Sequence, residues 1–226
     1  MLEQKYHKWY DHIMTNMKRL PARFYEQTNG NVPVREWLLS LSSEDRKLIG
    51  DDIRTAEFGW PVGMPLCHPI KGQRGLWEVR INLDGGRIAR VFFCTHESNM
   101  ILLHGFIKKT QETPGKRNLY RDKTYEGFDM TDNIETGKPG QLFEDFLAEQ
   151  GTLEASTELA VKRVLAFQLA AAMKEQKISK VEMARRLDTS RSQLDRLLDP
   201  KNEAVTLATL ARAAKAVGRT LRLELQ

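Results

Sequence analysis

Between residues 108 and 140 the apolar periodicity that organises the rest of the chain lapses, and this gap constrains the fold more than any other feature. Residues 109–115 read as loop, and residues 132–140 are polar and carry Gly137, Pro139 and Gly140. A break of that kind splits the 226-residue chain into two parts, each about the size of a small domain. The expected organisation is an N-terminal domain over 1–122, a linker over 123–141 and a second domain over 142–226.

Ahead of the gap the apolar period changes once. Val34, Trp37, Leu38 and Leu41 recur at helical spacing. Ser42, Ser43, Glu44 and Asp45 then supply a helix start, and a second helix is expected over 43–58 with Leu48, Ile49, Ile53 and Ala56 inward. Two glycines and two prolines between 59 and 65 end it. Beyond them the period is two. Strands are expected over 76–81, 88–95 and 100–106, with a turn at Asp84-Gly85-Gly86 and a break at residues 96–99. Two helices followed by an antiparallel meander define an α+β domain. Behind the gap the pattern is helical: a short amphipathic helix at 142–150, acidic on one face, then a long one over about 153–176.

Charge follows the same division. Residues 1–122 hold 19 Lys/Arg against 14 Asp/Glu, residues 123–160 hold 2 against 9, and residues 161–226 hold 14 against 7. Two basic blocks around an acidic one suit two polyanion-binding surfaces and a segment that competes for one of them. The acidic stretch equally fits a solvated linker. No run approaches the roughly 18 apolar residues of a membrane span, and the start lacks the apolar run of a secretory signal, so a cytoplasmic address without membrane contact is expected. Cys67 and Cys94 make no disulfide framework and are expected to be buried thiols. Cys94-x-His96 with Cys67-His68 lacks further ligands at zinc spacing, so no metal is expected.

Residues 180–198 have helix-turn-helix spacing. Ala184 sits where two helices cross, and Met183, Leu187, Leu194 and Leu197 close the shared core. Asp188 falls at the turn, where a left-handed residue is wanted, and Thr189 or Ser190 caps the second helix. That helix presents Ser190, Arg191, Gln193 and Arg196, residue types that reach base edges and phosphates. The region from Leu165 to Leu225 resembles the Cro/lambda-repressor-like (XRE) family. It is most similar to HigA-type antitoxins, through Leu197-Leu198-Asp199-Pro200 and Val205-Thr206-Leu207-Ala208-Thr209-Leu210. The resemblance implies an all-α domain, operator DNA as partner and a homodimer matched to two-fold operators. Residues 220–225 alternate as a closing short strand.

Three segments of the first block resemble the RelE/ParE superfamily, in its phage-derived HigB-like branch: residues 76–80, 87–93 and 102–111, within a similarity running from about 17 to 114. That likeness implies a toxin that cuts messenger RNA on the ribosome without metal or other cofactor. The residue types fit, because RNA carries its own 2′-OH nucleophile and the protein has to align it and neutralise the scissile phosphate. Arg80, Arg90, His104 and Lys108 are the expected catalytic residues, with Lys71, Arg87 and Lys109 as RNA contacts. The bland alternatives stay open: Arg80 and Arg90 as the wet face of a half-buried sheet, Lys108 and Lys109 as a solvated strand end, His104 as a hydrogen-bonded structural histidine. Trp60 and Trp77 are expected in the core.

One departure bears on activity. HigB-like toxins continue after the Lys-Lys-Thr-Gln motif into a helix rich in Ala, Leu and Lys, and residues 112–122 have no such period. The leading expectation is a toxin–antitoxin fusion whose acidic helix at 142–150 contacts the basic sheet. The alternative is a DNA-binding repressor with an inactive RelE-like domain.

Overall fold

The computed structural model describes residues 20–61, 66–108, 137–199 and 206–220. The chain forms two compact units, dividing between Ser156 and Thr157.

The first unit is built on β1 (Ala22–Gln27), α1 (Pro33–Ser40), α2 (Ser43–Gly59), β2 (Cys67–Pro69), β3 (Leu76–Asn82), β4 (Ile88–His96), β5 (Asn99–Lys108), β6 (Gly137–Leu142) and α3 (Phe143–Glu149). Pro33 opens α1, where its missing N–H costs nothing. Ser42 caps α2 by accepting from the Asp45 N–H, with Glu44 and Asp45 in the positive first turn. The strands form one sheet in the order β2-β3-β4-β5-β1-β6. The antiparallel β3-β4-β5 meander stands where expected, and β4 and β5 are joined through Glu97 and Ser98, both at positive φ.

Three strands of this sheet are additions to the expected fold: β1, β6 and the short β2, which pairs antiparallel with β3. β1 pairs with β5 in parallel, Phe24 opposite Leu102. Inside the expected linker, β6 pairs antiparallel with β1 and carries Pro139, which an edge strand tolerates. Tyr25 lies so close over Gly137 that a Cβ there would come within 2.4 Å of its ring.

Alternation along the strands separates two faces. On one, Phe24, Val79, Val91, Phe93 and Leu102 pack with Leu38, Ile49 and Ile53 of α1 and α2 in the main core. Trp60 and Trp77 pack against this core, their rings 4.9 Å apart. The expected boundary at 141/142 falls within β6, and α3 beyond it belongs to the same core. Its Phe143, Phe146 and Leu147 are buried, with Phe143 and Phe146 at 5.6 and 5.5 Å from the Phe24 ring. Burial of this kind contributes roughly 1.5–3 kcal/mol per side chain. Gly50, within α2, costs its helix about 1 kcal/mol relative to Ala. A Cβ at that position would stand 3.0 Å from Leu147 Cδ2. On the other face, Leu76, Phe92, Cys94, Ile101 and Leu103 form a second cluster. The two free cysteines are buried in different clusters, and burial pushes the Cys67 thiol up to about 12.

Charged groups also hold this unit together. Arg54, 1% exposed, donates to Glu57 (3.1 Å) and to Glu144 on α3 (3.0 Å), and Glu57 in turn accepts from the Ala22 N–H (2.7 Å). Asp51, also buried, accepts from Ser156 Oγ at 2.6 Å and from Lys47 Nζ at 3.0 Å.

The second unit contains the remainder of α4 (Leu153–Glu175), then α5 (Lys180–Arg186), α6 (Arg191–Leu198) and α7 (Leu207–Ala216). Its core is apolar: Met183, Ala184, Leu187, Leu194 and Leu197 are all buried, as the motif requires, beside Leu169, Met173, Ala213 and Val217. Asp188 takes φ +48° at the turn. Ser179, Ser190 and Thr206 cap α5, α6 and α7 through the N–H groups of Glu182, Gln193 and Thr209. The expected strand at 220–225 lies, but for Thr220, outside the described residues.

Candidate functional site

Of the residues expected to act on RNA, four share one face of the sheet. Arg80 and Arg90 are directly opposite across β3 and β4, Arg90 is opposite Phe106 on β5, and Phe92 is opposite His104. Lys108 lies two residues beyond Phe106 on the same face and is exposed. A bulge leaves Leu103 unpaired and shifts the register between Phe92 and Phe93. The rings of Phe92 and Phe106 are 5.6 Å apart, those of His104 and Phe106 6.0 Å.

The two arginines have a common focus, and that focus is a carboxylate of the chain itself. Glu78, 1% exposed, accepts from Arg80 Nε at 2.6 Å through Oε1 and from Arg90 Nη1 at 2.9 Å through Oε2. Like charges directly opposite on a sheet repel, and a buried anion between them offsets the repulsion. Arg90 Nε is buried with no hydrogen-bond partner. An unmade bond at such a donor costs about 1–3 kcal/mol. Burial lowers the His104 pKa below its ordinary value, which favours the neutral imidazole at pH 7.

The other expected RNA contacts lie elsewhere. Lys71 is exposed in the β2–β3 turn, on the order of 13 Å along β3 from Arg80. Arg87 makes a two-pronged pair with Asp45 at the start of α2, at 2.6 and 2.9 Å, and these bonds raise its pKa. Lys109 lies outside the described residues. The acidic helix α3 does not meet the Arg80–Arg90 face. Its Glu144 pairs with Arg54 and its Glu149 with Arg35, because its apolar residues seat it on the α1–α2 side. Glu78 and Phe106 were missed by sequence reasoning. An acidic residue two positions before Arg80, hence on the same face, was the signal for Glu78.

In the helical unit Ser190, Arg191, Gln193 and Arg196 are all exposed on or beside α6. Ser190 Oγ is committed to capping, and Gln193 Oε1 accepts from the Thr189 hydroxyl, which leaves its amide N–H groups as donors. Lys180 ties α5 to α6 through Asp195 at 2.6 Å. Gln193 and Arg196 line a cleft of about 600 Å³ together with Thr206, Thr209 and Arg212 of the α7 region, residues that sequence reasoning did not single out. The acidic Glu182 is held by Arg185 and Arg186, whose hydrogen bonds pull its pKa down to about 2.

Among the described residues no group of three or more His, Cys, Asp or Glu could hold a metal ion. No described helix is long and apolar enough to cross a membrane.

An α+β unit with a cationic sheet face, joined to a capped helix-turn-helix with an exposed Arg/Gln surface, defines a two-part DNA-binding protein. Residues 36–119 match the family described as phage-derived protein Gp49-like, and residues 168–221 match the Cro/C1-type HTH DNA-binding domain. No curated protein and no solved structure matches the chain. The chain therefore joins a Gp49-like domain, of the RelE/HigB-like toxin group, to a Cro/C1-type DNA-binding domain, consistent with a toxin–antitoxin fusion.

Proposed function

We propose that the N-terminal unit is a metal-independent endonuclease of ribosome-bound messenger RNA. The helix-turn-helix half restrains it, binds the operator as a homodimer and represses its own transcription. The observation that carries the nuclease reading is the placement of Arg80 and Arg90 in register on one face with His104 and Lys108. The parts of the Arg80 and Arg90 guanidinium groups that stay exposed beside Glu78 receive a non-bridging phosphate oxygen. Neutral His104 takes the proton of the 2′-OH as its oxygen attacks phosphorus. The bond from phosphorus to the 5′-oxygen breaks, water protonates the leaving oxygen, and a 2′,3′-cyclic phosphate remains. Lys108 neutralises charge on the phosphate. In the other half Arg191, Gln193 and Arg196 approach base edges and phosphates.

The deciding assay is cleavage of messenger RNA on purified ribosomes by residues 1–156, which carry the whole sheet unit without the restraining helix-turn-helix, and by their Arg90→Ala form. We expect cuts that this substitution abolishes; cuts that persist in Arg90→Ala end the proposal. A second reading, an inactive sheet domain serving a repressor, is favoured by Glu78, which already fills the focus of the two arginines. Absence of cleavage together with operator binding by the full chain selects it.

A further inference from the structure

The geometry points to β6 and α3 as an anchor by which the C-terminal half grips the N-terminal unit non-covalently, so that chain continuity through residues 109–136 is not needed to keep the halves together. This inference is independent of the nuclease reading.

Three kinds of contact carry it. β6 adds a strand to the edge of β1: Glu26 pairs opposite Lys138 with a 3.1 Å ion pair, and Arg23 donates to the Gly140 carbonyl at 3.0 Å. Directly after it, α3 inserts Phe143, Phe146 and Leu147, each no more than 2% exposed, among Phe24 and the residues of α1 and α2. Polar contacts then latch the segment at several points: Glu144 to Arg54 at 3.0 Å, Glu149 to Arg35 at 2.7 Å, and Ser156 to Asp51 at 2.6 Å.

The receiving surface is shaped for this occupant. Gly50 leaves a gap in the side chains along the middle of α2 at the place where Leu147 seats. Glu57 and Arg54 are buried with their charges mutually satisfied, and Arg54 reaches past Glu57 to meet Glu144. An isolated strand paired to one edge is a weak association, but a strand followed immediately by a buried aromatic pair and a half-buried ion pair is a docking motif. The segment is on the α1–α2 side of the sheet, away from Arg80 and Arg90, so it holds without covering them.

The test replaces residues 124–130 of the full chain with a specific protease site and cuts to completion. We expect the two fragments to elute as one species in size exclusion at micromolar concentration. Phe146→Ala with Leu147→Ala in the cut protein should raise the dissociation constant roughly a hundredfold or more. Glu144→Gln, which leaves the apolar contacts intact, should raise it about tenfold. Separation of the wild-type fragments on cutting overturns the inference. So does association that the double substitution leaves unchanged; if the double variant fails to fold before cutting, an unchanged constant for Glu144→Gln overturns it alone.

Discussion

The two units handle charge in opposite ways. Among the described residues every buried charged side chain belongs to the sheet unit: Asp45, Asp51, Arg54, Glu57 and Glu78. In the helical unit the ion pairs Glu182–Arg185, Lys180–Asp195 and Glu175–Arg219 lie on the surface over an apolar core. The difference teaches what each charge is for. Buried pairs fix geometry, since losing one partner strands the other in a medium that solvates it poorly. Exposed pairs are screened and contribute little to stability, so the cations around them stay adjustable for a polyanion.

The largest break in that comparison should come from Arg54→Leu. It strands Glu57 at 1% exposure and leaves Glu144 without its partner on α2. We expect a loss of about 3–5 kcal/mol in urea unfolding of the full chain; a loss under 1 kcal/mol would mean that the buried network is dispensable. Glu78→Gln is the intermediate case, because Arg80 and Arg90 retain 40% and 24% side-chain exposure and water can reach them. Roughly 1.5–3 kcal/mol is expected by the same measurement. In the helical unit Ser190→Ala, which removes only a cap, should cost about 1 kcal/mol.

The smallest effect concerns pH. Glu182 is held at about 2 by its arginines, below its ordinary carboxylate value. A lowered acid pKa means that its contribution is complete above about pH 4.5 and disappears as pH falls toward 2. Because the pair lies at the surface, added salt should weaken the effect, and an NMR titration of Glu182 returning an ordinary carboxylate pKa would contradict the pairing. For His104 the sign is related: burial favours the neutral ring, so the sheet unit should lose stability as pH falls below about 6.5. A His104→Gln chain should show a flatter profile.

The helix-turn-helix was legible residue by residue, from the buried Ala184 to the left-handed Asp188 and the Ser190 cap. Each of those signals acts within a few positions, where backbone sterics and capping decide. α1, α2 and the β3–β5 meander were legible for the same reason. β1 was not, since its partners in β5 and β6 lie far along the chain and its six residues carry no local turn signal. β6 was disguised by two glycines and a proline, which denote loop everywhere except at a sheet edge. On the site, the sequence located the cations but not what they hold.

The amino-acid order alone determined which segments coil and which extend, where the helical motif reads DNA, and which cations alternate onto one strand face, because periodicity and capping are short-range physics. Tertiary structure alone decided that Glu78 occupies the space between Arg80 and Arg90. It also decided that residues 137–156 complete the first unit, where 137–141 were expected as linker and 142–156 as the start of the second domain. Both outcomes depend on side chains brought together from distant parts of the chain, whose burial and charge compensation exist only once the sheet has closed.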